Sequence, residues 1–92
     1  APYPYAYSVP ANYDQSFDAV VGAMADNGLT INQQDRGGGV VAGRRGGIDV
    51  VSTVRQQQDG TVRVEFSTRG AIEQDPGLID RVTAAYNRRM GR

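Results

Sequence analysis

Two Arg-Gly-Gly tripeptides, at Arg36 and Arg45, lie within the stretch DRGGGVVAGRRGG, residues 35–47. Guanidinium beside glycine is a composition that could hold phosphate or RNA, so these residues come first. A phosphate loop of the GxxxxGK[ST] kind must open a helix, and its lysine must meet the phosphates. Here the glycines run into Val40-Val41, and the chain has no lysine. A dinucleotide fingerprint fails because no helix follows the glycines. RNA-binding RGG segments are repeated and of low complexity, whereas these two are split by a strand-forming VVA. The expectation is two turns, residues 35–38 and 45–47, whose glycines take positive φ. Such turns remain exposed contact loops.

Other side chains offer less chemistry. The chain has no His, Cys or Lys, which removes imidazole proton shuttling, thiolate chemistry, zinc-thiolate sites and Schiff-base amines. Asp14, Gln15 and Asp18 fall on the solvent side of a helix and are expected to be a hydration face. Asp49 and Glu65 project from an open sheet, where nothing would lift a carboxylate pKa for acid–base work. Ser52 points inward among aliphatics and is expected to bond to backbone. A non-enzymatic protein without metal or cofactor is expected.

Ten Arg stand against eight Asp and two Glu, a formal net charge of zero. That balance supplies no overall field to concentrate nucleic acid or anionic lipid. Ninety-two residues make one small domain, and no apolar run is long enough to span a membrane. The chain opens on Ala1, which is expected of a processed or trimmed product.

The elements that must position these residues follow from pattern. Residues 1–11, APYPYAYSVPA, hold three prolines and three tyrosines and are expected to be an extended tether. The alternatives are a proline-rich recognition peptide or a strand docking on a sheet edge. Residues 12–92 form the domain. Tyr13, Phe17, Val20, Val21, Met24 and Ala25 recur at helical spacing, with Asn12 as N-cap and Asn27-Gly28-Leu29 as the stop, so a helix spans about residues 13–26. LTINQQD alternates, with Leu29, Ile31 and Gln33 on one side. GVVAGR makes a second strand. IDVVSTVR points Ile48, Val50, Ser52 and Val54 inward, and TVRVEFST points Val62, Val64 and Phe66 inward.

Parity tests the turn between the last two strands. A two-residue Asp59-Gly60 turn would oppose Val54 and Glu65, mixing faces. A three-residue loop, Gln58-Asp59-Gly60, with Gly60 left-handed, opposes Val54 and Val64, and Ser52 and Phe66. It also sets Thr53 against Glu65, Asp49 near Arg69, and Arg55 against Arg63, a like-charge pair. A second helix is expected from Asp75-Pro76, with the carboxylate as cap and proline at the first position. Leu78, Ile79, Val82, Ala85, Tyr86 and Met90 are its buried stripe, and Arg88 and Arg89 complement its dipole. The fold class is α+β: helix, four-stranded antiparallel meander, helix, with both helices on one face.

The run from Tyr13 to Arg45 resembles repeated domains of bacterial envelope lipoproteins of the BamC-like family. The matching pattern is A(M)xxxGLxIxxxDxxxGxVxGxR, carried by Ala23, Met24, Gly28, Leu29, Ile31, Asp35, Gly39, Val41, Gly43 and Arg44, with Phe17 and Val20 in the helix before it. The closing DPGLIDRVTAAYNRRM is similar to the terminal helix of such domains. The resemblance implies a helix-grip-like or related α+β fold, a lipid-anchored periplasmic location and protein–protein work without catalytic residues. The acylated cysteine of the family is not in this chain, so any anchor lies upstream of residue 1.

Two functions are in competition, with a structural spacer that has no specific ligand as a third possibility. One is an envelope interaction module, monomeric, presenting Asn32, Thr53, Arg55, Arg63 and Glu65 from the wet sheet face to another envelope protein. The other is binding of a small hydrophobic ligand in a cavity between the sheet and the second helix, lined by Met24, Phe66, Tyr86 and Met90.

Overall fold

The computed structural model describes residues 12–91, so the tether lies outside the described residues. The order is α1 (Tyr13–Asp26), β1 (Thr30–Asp35), β2 (Val40–Arg45), β3 (Ile48–Gln56), β4 (Val62–Gly70), a 3-10 turn (Ile72–Gln74) and α2 (Leu78–Arg89). The strands pair in sequence order, β1-β2-β3-β4, each antiparallel to the next.

Local chemistry sets the ends of α1. The Asn12 side chain accepts from the Asp14 and Gln15 backbone N–H groups at 2.8 and 3.2 Å, which satisfies two donors the helix leaves unpaired. At the other end the Gly28 N–H donates to Ala25 and the Leu29 N–H to Met24, both at 3.1 Å. This is the Schellman arrangement, and it delivers Leu29 to the core.

Both helices lie on one side of the sheet. Phe17, Val20, Ala23 and Met24 of α1 and Leu78, Val82, Ala85 and Tyr86 of α2 share one cluster with Val41, Ile48, Val50 and Val54 of the strands. Burying each of the larger side chains is worth roughly 1.5–3 kcal/mol. Gly22 leaves room for the Arg89 guanidinium, with which a Cβ there would collide. Arg89 grips Asp26 through Nε and Nη2, both at 2.8 Å. A carboxylate in the last turn of α1 opposes that helix's dipole, and the Arg89 cation offsets it. Arg89 is therefore a clasp between helices and not only a dipole complement.

The β3–β4 register is the one that burial demands: Val54↔Val64, Ser52↔Phe66, Thr53↔Glu65, Arg55↔Arg63 and Asp49↔Arg69. Gln57 N–H donates to the Thr61 carbonyl at 2.7 Å and Gly60 takes φ +87°, closing the three-residue loop.

Several expectations are corrected. In β1 the register slips between Ile31 and Gln33, so Gln33 pairs with Ala42 on the outer side and does not share a face with Ile31. Asn32 is the extra residue of a bulge. The second helix begins at Leu78 with Gly77 as N-cap and no side-chain cap. Asp75 instead receives Arg45 at 2.6 Å and Arg81, because two cations hold a carboxylate more strongly than backbone N–H groups do. Of the glycines in the two turns, Gly39 and Gly46 take positive φ, while Gly37, Gly38 and Gly47 do not. The Asp35 carboxylate accepts from Gly38 N–H at 2.9 Å and holds the first turn without them. Ser52 is fully buried, but its Oγ has no hydrogen-bond partner among the described residues, and Ser16 Oγ is the same. β3 is paired along both edges, with β2 and with β4, so the main-chain groups around Ser52 are already engaged.

Candidate interaction surface

The two Arg-Gly-Gly turns resolve into internal fastenings. Arg36 donates to Asp14 at 2.9 Å and Asp18 at 2.7 Å, and its guanidinium carbon lies 4.5 Å from the centre of the Phe17 ring. Tyr13 Oη donates to the Arg36 carbonyl at 2.6 Å. Asp14 and Asp18, one helical turn apart, are therefore a two-pronged clamp on the β1–β2 turn, not a plain hydration face. Both carboxylates raise the Arg36 pKa, Asp18 most. Arg45 reaches Asp75, whose pKa is lowered chiefly by the Arg81 hydrogen bond and further by Arg45, with desolvation opposing. The two guanidiniums best placed for an anion in the sequence thus already have carboxylates.

Among the described residues no helix lies on the outer side of the sheet, and strand alternation arranges that face in rows. One row runs Thr30, Arg44, Asp49, Arg69; the next is Gln33, Ala42, Val51, Ser67; then Asp35, Val40, Thr53, Glu65; and finally Arg55, Arg63. The centre is small and apolar, from Val40, Ala42 and Val51. Charges stand at its ends.

Four of the five expected surface residues come together. Thr53 faces Glu65, Arg55 faces Arg63, and Arg63 Nε contacts Glu65 at 2.7 Å along the same strand. Glu65 and Arg63 are 58% and 66% exposed at the side chain, so this pair is open to a competing partner. Arg55 has no carboxylate within 4.0 Å among the described residues, and its cross-strand neighbour is a second cation. Asn32 does not join the cluster: it sits in the β1 bulge, two strands from β3. At the opposite row Asp49 pairs with Arg69, as the register from sequence required, and it also meets Arg44 at 3.7 Å, a partner that sequence reasoning missed. Its signal was the parity that placed Asp49 outward.

The alternative reading put a ligand cavity between the sheet and α2. Of the residues offered for it, Phe66 and Tyr86 meet edge to face with centroids 5.9 Å apart, and Met24 is fully buried. Space opens at the far end of β4, as a groove of about 440 Å³ lined by Ile48, Thr68, Ile72, Asp75, Pro76 and Ile79, among others. Ile72, 48% exposed, is the one large apolar side chain left in solvent among the described residues. An isoleucine between Gly70-Ala71 and Asp75-Pro76 was the signal, but the 3-10 turn that aims it was not foreseen.

Among the described residues no group of three acidic, His or Cys side chains could hold a metal ion, and no helix is long and apolar enough to cross a membrane. No family model, curated protein or solved structure matches the chain.

Proposed function

We propose that the protein is a non-enzymatic interaction module of the bacterial cell envelope, held at the periplasmic side by an anchor upstream of residue 1, and that its outer sheet face docks a partner protein. The envelope location rests on the sequence resemblance. The docking face rests on one observation: a sheet face that the described residues leave uncovered, with an apolar centre bounded by charges that include Arg55, unneutralised among those residues, beside Arg63. Like charges directly opposite are unfavourable, and an acidic group on a partner offsets that repulsion. Complementary charge of this kind sets orientation and encounter rate more than raw affinity.

Site-specific photocrosslinking tests this reading in the native host envelope. A photoreactive residue at Val51 or Thr53 is expected to give a discrete adduct that disappears when Arg55 and Arg63 are both changed to Glu. A probe at Asp80, on the exposed side of α2, is expected to give none. Adducts that are indifferent to the charge reversal, or equal from both faces, defeat the proposal.

A further inference from the structure

The two edges of the sheet differ. β1 is broken by its bulge at Asn32, which blunts an edge. β4 runs for nine residues in unbroken register with β3, contains no proline and, among the described residues, pairs with nothing on its other side. Gln57 N–H donates to the Thr61 carbonyl and Ala71 N–H to that of Gly47, so odd-numbered residues of β4 are those bonded to β3. The N–H and C=O groups of Val62, Val64, Phe66 and Thr68 therefore point along the free edge. Their side chains form the inward row and are only partly buried. Such an edge is a template for another strand.

A second β4 fits it. Two identical antiparallel strands are related by a two-fold axis, so every off-axis pair occurs twice. An axis at Val64 sets Val64 opposite Val64, Val62 opposite Phe66, and Arg63 opposite Glu65. Partners directly opposite share a face, so Val62, Val64 and Phe66 of one copy meet the same three residues of the other on the helix side. On the outer face Arg63 already contacts Glu65 of its own strand at 2.7 Å. The second copy completes a square of four charges that alternate in sign.

Other axes match less well. An axis at Arg63 or Glu65 sets like charges opposite each other, and an axis at Phe66 sets Arg63 opposite Arg69. An axis at Ser67 puts Gly70 opposite Val64 and leaves Val62 without a partner. The helices favour the same choice. Tyr86 meets Phe66 edge to face, and Ile79 shares the groove with Thr68, so α2 lies over the second half of β4. About an axis at Val64 the two copies of α2 stand diagonally apart instead of head-on.

We propose that the protein is a homodimer in which β4 pairs antiparallel with β4 of a second copy about a two-fold axis at Val64, joining two four-stranded sheets into one. This replaces the monomer expected from the sequence. The recognition is reciprocal, Arg63 of each copy against Glu65 of the other. Val40, Ala42 and Val51, at the centre of each outer face, stay uncovered for a partner protein.

Sedimentation equilibrium of the full chain, from about 10 μM to about 1 mM, tests the axis. The parent is expected to be dimeric at the upper end. Arg63→Glu alone and Glu65→Arg alone each set like charges opposite at both reciprocal positions, and each is expected to weaken dimerisation by about tenfold or more. The double variant exchanges the charges and is expected to return to within about threefold of the parent. An equimolar mixture of the two single variants is expected to form the heterodimer that neither forms with itself. Both side chains are more than half exposed, so the fold of each copy does not depend on them. A parent that stays monomeric at about 1 mM overturns the proposal. So does a dimer indifferent to the single changes, a double variant no better than the singles, or a mixture that stays monomeric.

Discussion

Ser52 is the clearest misfit among single residues. Its hydroxyl is buried without a partner among the described residues, and a polar group in that position costs about 1–3 kcal/mol. Replacing it with Ala removes the hydroxyl and little volume, so Ser52→Ala is expected to raise the unfolding free energy by about 1 kcal/mol. Urea denaturation with an unchanged slope measures this; a loss of stability would mean that the oxygen has a partner. At the same scale Arg36 shows why a motif cannot be judged from its neighbours alone. Beside three glycines it looks like a ligand-holding residue, but Asp14, Asp18 and Phe17, some twenty positions earlier, take both its charge and its flat face.

Among the elements, the β1–β2 hairpin depends on Gly39. Its φ is +71°, and a Cβ would collide with the Val54 carbonyl oxygen while crowding Tyr13 Oη. Gly39→Ala is expected to destabilise by roughly 1–3 kcal/mol, whereas Gly37→Ala, with ordinary φ and only the Asp35 carboxylate near, changes little. Comparing the two in one denaturant series checks the claim. What could be read from sequence divides along similar lines. The β3–β4 register was legible because Val54, Val64 and Phe66 are penalised for any slip, so burial selects one loop length. The surface quartet Thr53, Arg55, Arg63 and Glu65 followed from that register. The β1 bulge was not legible, since Gln33 and Gln34 are equally at home on either side and nothing penalises the shift. Nor was the start of α2, because the partners of Asp75, Arg45 and Arg81, are 30 and 6 residues away. The groove at Ile72 is set by that same irregular segment, which has no periodicity to read.

For the whole molecule, the carboxylates that join distant elements set its response to acid. Asp26 is lowered below its ordinary value of 3.8, first by its hydrogen bond to Arg89, and Asp75 is lowered likewise by Arg81 and Arg45. A carboxylate with a depressed folded pKa contributes stability that is fully present above its unfolded pKa and is lost as pH falls through the folded one. The protein is therefore expected to hold its stability from neutral pH down to about pH 4 and then to lose it. A variant carrying both Asp26→Asn and Asp75→Asn should be weaker near neutrality and converge with the parent once the pH has fallen through the depressed folded pKa values of these carboxylates. Thermal melts across that range decide it; a gap that persists at low pH would assign the loss to packing rather than charge.

The clasp between Asp26 and Arg89 closes over 63 residues. A polypeptide made from its amino end therefore releases α1 and the whole meander before the side chains that cover Val20 and Met24 exist. Until the final helix emerges, α1 has the sheet to lie against but the flank it shares with α2 is bare, and a chain halted before Leu78 would expose that flank to proteases and to other nascent chains.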